Sequence, residues 1–88
     1  MFRQELTQAE LEAALLKEAE NSAKLILEMP EDDISGHMGV EPSRKAKKLI
    51  RKLEDKFSVE AKEIFIAEIK RILRTHEYIV FIQLVNFY

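Results

Sequence analysis

The sequence predicts an all-α protein, a small bundle of three helices, or four, forming one domain over residues 1–88 with a loop at 30–41 between the first two helices. The chain holds only two glycines and two prolines in 88 residues, so turns are few and the elements between them are long. Charged residues supply 34% and hydrophobic residues 47%, a balance that folds around a core rather than staying disordered. Apolar residues recur at intervals of three and four along much of the chain, the period of one helix face.

The first helix is expected over 8–29. Thr7-Gln8-Ala9-Glu10 has the form of a capping box, in which the Thr7 hydroxyl accepts from the Glu10 amide and the Glu10 side chain reaches back. Leu6 and Leu11 stand where a hydrophobic staple needs them. Leu11, Leu15, Ala19, Ser22, Ile26 and Met29 mark one face, broadened by Leu16, Ala23 and Leu27. Pro30 ends the helix, because a residue before proline is pushed out of the helical region. Residues 30–41 contain both glycines and read as a loop longer than the usual helix–helix connection.

Pro42 suits the first position of a second helix. Ala46, Leu49, Ile50, Leu53 and Phe57 then fall on one helical face, and Arg44, Lys45, Lys47, Lys48, Arg51, Lys52 and Lys56 fall on the other. A break is expected near Phe57–Ser58, with Ser58 capping a third helix and Val59 and Glu60 in its first turn. Ala61, Ile64, Phe65, Ile69, Ile72 and Leu73 form the buried stripe of that helix.

Residues 78–88, YIVFIQLVNFY, pull two ways. Their β-branched and aromatic side chains favour a strand. A continued helix is preferred here, because Thr75-His76-Glu77 carries no stop signal. A lone strand would also need a partner, and only Met1–Leu6 offers itself. In either form the segment is apolar on more than one side. It is therefore expected to be the central helix of the fold, or to be buried in a homo-oligomer or against a partner.

The net charge is only −2, but it is unevenly spread. Residues 1–41 carry three basic and ten acidic side chains, and residues 42–76 carry eleven basic and five acidic ones. The chain is a sequence dipole, −7 followed by +6, with Glu77 adding the last −1. Two arrangements follow. The acidic first helix and the basic second helix can pack antiparallel and pair their flanking charges, each exposed pair contributing at most about 1 kcal/mol. Alternatively the basic face meets another molecule.

Several kinds of chemistry find no support. With no cysteine there is neither a disulfide framework nor a Cys-ligated zinc site. Phosphate-binding glycine loops, zinc-protease helices and nucleophile elbows are missing. Asp32, Asp33 and His37 come nearest to a metal set, but their spacing fits no calcium or zinc pattern and reads as a solvated acidic loop. His76 reads as a core-edge or interface histidine rather than a catalyst. No enzyme activity, metal or cofactor is expected. No apolar run approaches the roughly 18 residues that cross a bilayer, and Met1-Phe2-Arg3-Gln4-Glu5 lacks the apolar core of a signal peptide. A cytoplasmic protein is expected.

The function that follows is binding, by a small regulator or inhibitor. Phe81, Ile82, Val85 and Tyr88 are the candidate apolar anchors, and Arg44, Lys48, Arg51 and Lys52 the stripe that steers an acidic protein partner. The alternative uses the basic helix 43–56 on the phosphate backbone of nucleic acid without sequence readout. Against it, no aromatic residues for base stacking are interleaved with the lysines, and the pI of about 5.7 is low for that role.

Overall fold

In the computed structural model the described residues are 6–28, 36–76 and 80–84, with those at 36–38 and 80–81 described by their backbone alone. Three helices and a small strand pair follow in order: α1 (Gln8–Leu27), β1 (Gly36–Val40), α2 (Arg44–Phe57), α3 (Ala61–Thr75) and β2 (Val80–Leu84). The helices make up a small bundle, as the sequence predicts.

α1 starts at the expected capping box. The Glu10 amide donates to Thr7 Oγ1 at 3.2 Å, and the Thr7 amide donates to Glu10 Oε1 at 3.0 Å. Two of the amides left without partners at a helix start are thereby satisfied. The buried face is Leu11, Leu15, Ala19, Ala23 and Ile26. Ala23, rather than Ser22, continues the seam, and Leu16 is exposed. Met29 lies outside the described residues.

α2 begins two residues later than the proline rule suggests. Pro42 is buried just outside the helix, and Ser43 is the N-cap. The Ala46 amide donates to Ser43 Oγ at 3.1 Å, and the same hydroxyl donates to Glu18 Oε1 at 2.9 Å. A hydroxyl at this position satisfies a helix-start amide, which the proline ring cannot do, and it also ties α2 to α1. Ala46, Leu49, Ile50 and Leu53 are buried as expected. Phe57, at the end of the same face, is 37% exposed.

The break after Phe57 is present, but Ser58 closes α2 instead of opening α3. It adopts the left-handed conformation, φ 54°, ψ 33°, and the Ser58 and Val59 amides both turn back to the Leu53 carbonyl. A left-handed residue ends a helix by turning amides onto its last carbonyls. α3 then starts at Ala61 with Glu60 at its N-cap, so Val59 and Glu60 lie outside its first turn. Ala61, Phe65, Ile69 and Leu73 are buried, with Ile64 and Ile72 partly so.

The carboxyl segment departs from expectation. β2 is a strand, not a continuation of α3, and its partner is not the amino terminus. It pairs in parallel with β1, in the register Gly36↔Val80, Met38↔Ile82 and Val40↔Leu84. The preference of Val80-Phe81-Ile82 for extended backbone therefore prevails. Residues 36–40, read from sequence as part of a loop, supply the second strand. The α2–α3 pair provides the long crossover that a parallel pairing requires.

The core sits where α1 packs on both α2 and α3, and β2 packs on α3. Val40 and Ile82, from neighbouring strands, close one end of it at 7% exposure each. No buried polar or charged residue interrupts it among the described residues.

Candidate functional site

α2 and α1 run in opposite directions. Ser43 at the start of α2 meets Glu18 in the second half of α1, while Leu6 and Leu11 at the start of α1 lie beside Leu49 and Lys56 further along α2. This is the antiparallel arrangement that the charge pattern suggests. The cross-helix ion pairs do not accompany it for most of the basic face. Lys47 pairs with Glu41 at 3.7 Å, on the linker just before α2. Arg44, Lys45, Lys48, Arg51 and Lys52 are exposed, and none has an ion-pair or hydrogen-bond partner among the described residues.

The carboxylates of α1 are occupied nearer home. Glu10 serves the capping box, and its hydrogen bonds from the Thr7 backbone and hydroxyl hold its carboxyl below the ordinary range. Glu12 accepts from Gln8 Nε2 at 2.8 Å, Glu18 accepts from Ser43, and Glu20 pairs with Lys24 at 3.4 Å. On α3, Arg71 donates to both oxygens of Glu68, at 2.7 and 2.9 Å. That bidentate contact keeps the Glu68 carboxyl low and the Arg71 guanidinium high.

Between the start of α1 and the exposed side of α2 lies a groove of about 460 Å³. Leu6, Leu11 and Leu49 form its apolar lining, and Lys45, Lys48, Arg51, Lys52, Lys56 and Asp55 surround them. Leu6 is 49% exposed, while Leu11 and Leu49 are buried beneath it. Three of the four cations predicted from sequence, Lys48, Arg51 and Lys52, thus share one site with three leucines, and Arg44 stands outside it. Lys45, read from sequence on the basic face, and Leu6, read as part of the staple, were not among the predicted contact residues. The signal for them was present: Lys45, Lys48 and Lys52 are spaced by three and four, and the staple places Leu6 at the same end of the bundle.

Of the predicted apolar anchors, only Ile82 has a described side chain. Ile82 faces the core and is not offered to a partner. Phe81 lies in β2 and is described by its backbone alone, and Val85 and Tyr88 lie outside the described residues. His76 is exposed at the end of α3, away from the buried stripe. Of the acidic loop, Asp32 and Asp33 lie outside the described residues, and His37 is in β1. Among the described residues no three His, Cys, Asp or Glu side chains come together as a metal site. No helix among them is long and apolar enough to cross a membrane. Comparison with protein families, curated proteins and solved structures gives no match to the chain.

Proposed function

We propose that the chain is a non-enzymatic interaction protein, a cytoplasmic regulator or inhibitor that covers an acidic surface on a protein partner with the exposed cationic face of α2. One observation carries this reading: Arg44, Lys45, Lys48, Arg51 and Lys52 stand side by side without carboxylate partners among the described residues. Uncompensated charge of one sign raises the encounter rate with an oppositely charged surface and suppresses wrong partners. The leucine-lined groove beside those cations supports a protein over a nucleic acid, since a phosphate backbone offers nothing apolar to place there. Asp55 on the rim argues the same way, because it repels phosphate. In this reading Phe81, Val85 and Tyr88 remain candidate apolar contacts at the carboxyl end, and self-association through that end belongs to the proposal.

The test is neutralisation of the face. Lys48→Gln, Arg51→Gln and Lys52→Gln together should leave the circular dichroism unchanged and abolish cross-linking to the partner that the unaltered chain retains. Sedimentation should give no complex with mixed-sequence oligonucleotides at physiological salt. Retention of the same partner by the triple variant would remove the cationic face from the function. A mobility shift of oligonucleotides that falls steeply with salt would establish the phosphate-binding reading instead.

A further inference from the structure

We propose that the groove between the start of α1 and α2 is a docking site for an acidic amphipathic helix of about three turns, supplied by the partner. The proposal rests on the reading of the cationic face given above, and adds the form of what that face takes. The groove's length sets the number of turns. Lys45 and Lys56 both line it, and eleven residues at about 1.5 Å each make roughly 16 Å, three turns of a helix.

The groove's chemistry sets the pattern of the visitor. Its floor is leucine and its border is mostly cationic. A helix laid in a groove presents anchors at intervals of three and four, so one or two apolar side chains would enter between Leu6 and Leu49. Carboxylates flanking those anchors would meet Lys45, Lys48 and Lys52, which repeat at the same intervals along α2. The volume of about 460 Å³ lies within the range of ligand pockets, about 300–1,000 Å³, and leaves room for one or two apolar side chains.

A second copy of this chain is a poor occupant. Its own acidic helix, α1, already buries Leu11, Leu15 and Ile26 in its core. Leu16 and Leu25 are exposed on that helix but stand nine residues apart, so a folded copy presents no i, i+4 pair of anchors from them.

Fluorescence anisotropy with a labelled peptide tests the proposal on the full chain. The probe is a helical peptide of about twelve residues, three turns, with two leucines at i and i+4 flanked by glutamates. A second peptide replaces its leucines with serine, and a mixed-sequence oligonucleotide of equal charge is the competitor. The leucine peptide should bind at least about tenfold more tightly than the serine peptide. Leu6→Asp should weaken it by about tenfold or more, and Lys48→Gln with Lys52→Gln should weaken it similarly while flattening its salt dependence. The serine peptide keeps the test sound if Leu6→Asp disturbs the fold, because it alters nothing in the protein.

Equal binding of the two peptides would overturn the groove while leaving the cationic face standing. No loss of binding in the Lys48 and Lys52 variant would overturn both. An oligonucleotide that displaces the peptide, and that binds Leu6→Asp as well as the unaltered chain, would likewise remove the helix as occupant.

Discussion

Ile82 and Gln83 are adjacent in β2, yet they should behave in opposite ways when cut back to alanine. Ile82 is 7% exposed and belongs to the core, whereas Gln83 is exposed. Side chains alternate along a strand, so a slip of one residue would exchange the two. Removing a buried isoleucine down to its Cβ costs about 2–5 kcal/mol. Ile82 sits at the end of the core, where the surroundings relax more easily, so the lower part of that range, about 2–3 kcal/mol, is expected. At about 0.05–0.15 kcal/mol per residue, 88 residues give a total stability of roughly 4–13 kcal/mol. The Ile82→Ala chain should therefore fold but melt about 10–20 °C lower, since each kcal/mol shifts the midpoint of a domain this size by about 4–8 °C. Gln83→Ala should stay within about 0.5 kcal/mol of the unaltered chain. Thermal and urea unfolding followed by far-ultraviolet circular dichroism measure both. An Ile82→Ala chain as stable as its parent, or a larger loss from Gln83→Ala, would show that β2 does not pack on the bundle in this register.

Other consequences are simpler to check. Ser58 holds a left-handed conformation that costs a non-glycine residue about 1–2 kcal/mol. Ser58→Gly should therefore raise stability by about 0.5–1 kcal/mol, once the greater freedom of glycine in the unfolded chain is deducted. Ser43→Ala removes the α2 cap and the bond to Glu18 together and should lower stability by about 1–2 kcal/mol in the same urea titration. Glu10 has a folded-state pKa below its ordinary value of 4.5. Its contribution is thus complete above that value and is lost as pH falls through the folded one. Glu10→Gln keeps the capping geometry and should flatten that part of the acid titration. Glu63, raised by the hydrogen bond and charge of Glu60, contributes with the opposite sign. Its share of stability declines as pH rises through its folded value, and Glu60→Gln should remove that decline.

The helices were legible because local signals and burial agreed. The Thr7 box, the alanines at 19 and 23, and the spacing of Ala46, Leu49, Ile50 and Leu53 all name a helix and the face it buries. The strand pairing was not legible, because its partners are forty-four residues apart and only 80–84 carries a strand preference of its own. Gly36 and Gly39 make residues 36–40 look like a loop, since glycine has no side chain to carry a pattern. Residues 80–84 follow α3 without a glycine or proline to announce the change. Ser58 was assigned to the wrong helix for a related reason. A serine between two helices can cap the second or close the first, and only the backbone angle decides. The cationic half of the candidate site could be read from charge alone. The apolar half depends on Leu6 lying beside α2, a tertiary fact carried by the antiparallel packing.

The charge distribution argues for a partner more strongly than composition could. Ten acidic residues precede α2 in sequence and outnumber its seven cations, so proximity alone would predict neutralisation. Reach decides otherwise. A carboxylate on α1 has a local partner within one turn: Glu10 has the cap, Glu12 has Gln8 and Glu20 has Lys24. Each such bond fixes few additional torsions, whereas a cross-helix pair must order two long side chains over a seam already filled by Leu11 and Leu49. Glu18 does reach α2, but there it meets a serine hydroxyl at the cap, not a lysine. The local bonds thus leave the dipole of the sequence displayed on the surface of the fold. If the cationic face served stability alone, neutralising Arg44, Lys48 and Lys52 would lower the unfolding midpoint. Because these cations repel one another and pair with nothing among the described residues, Arg44→Gln, Lys48→Gln and Lys52→Gln together should leave the midpoint unchanged or raise it. Urea unfolding at low salt measures the difference at its largest. A clear loss of stability there would mean that the charges hold the bundle together, and the case for a partner would fall.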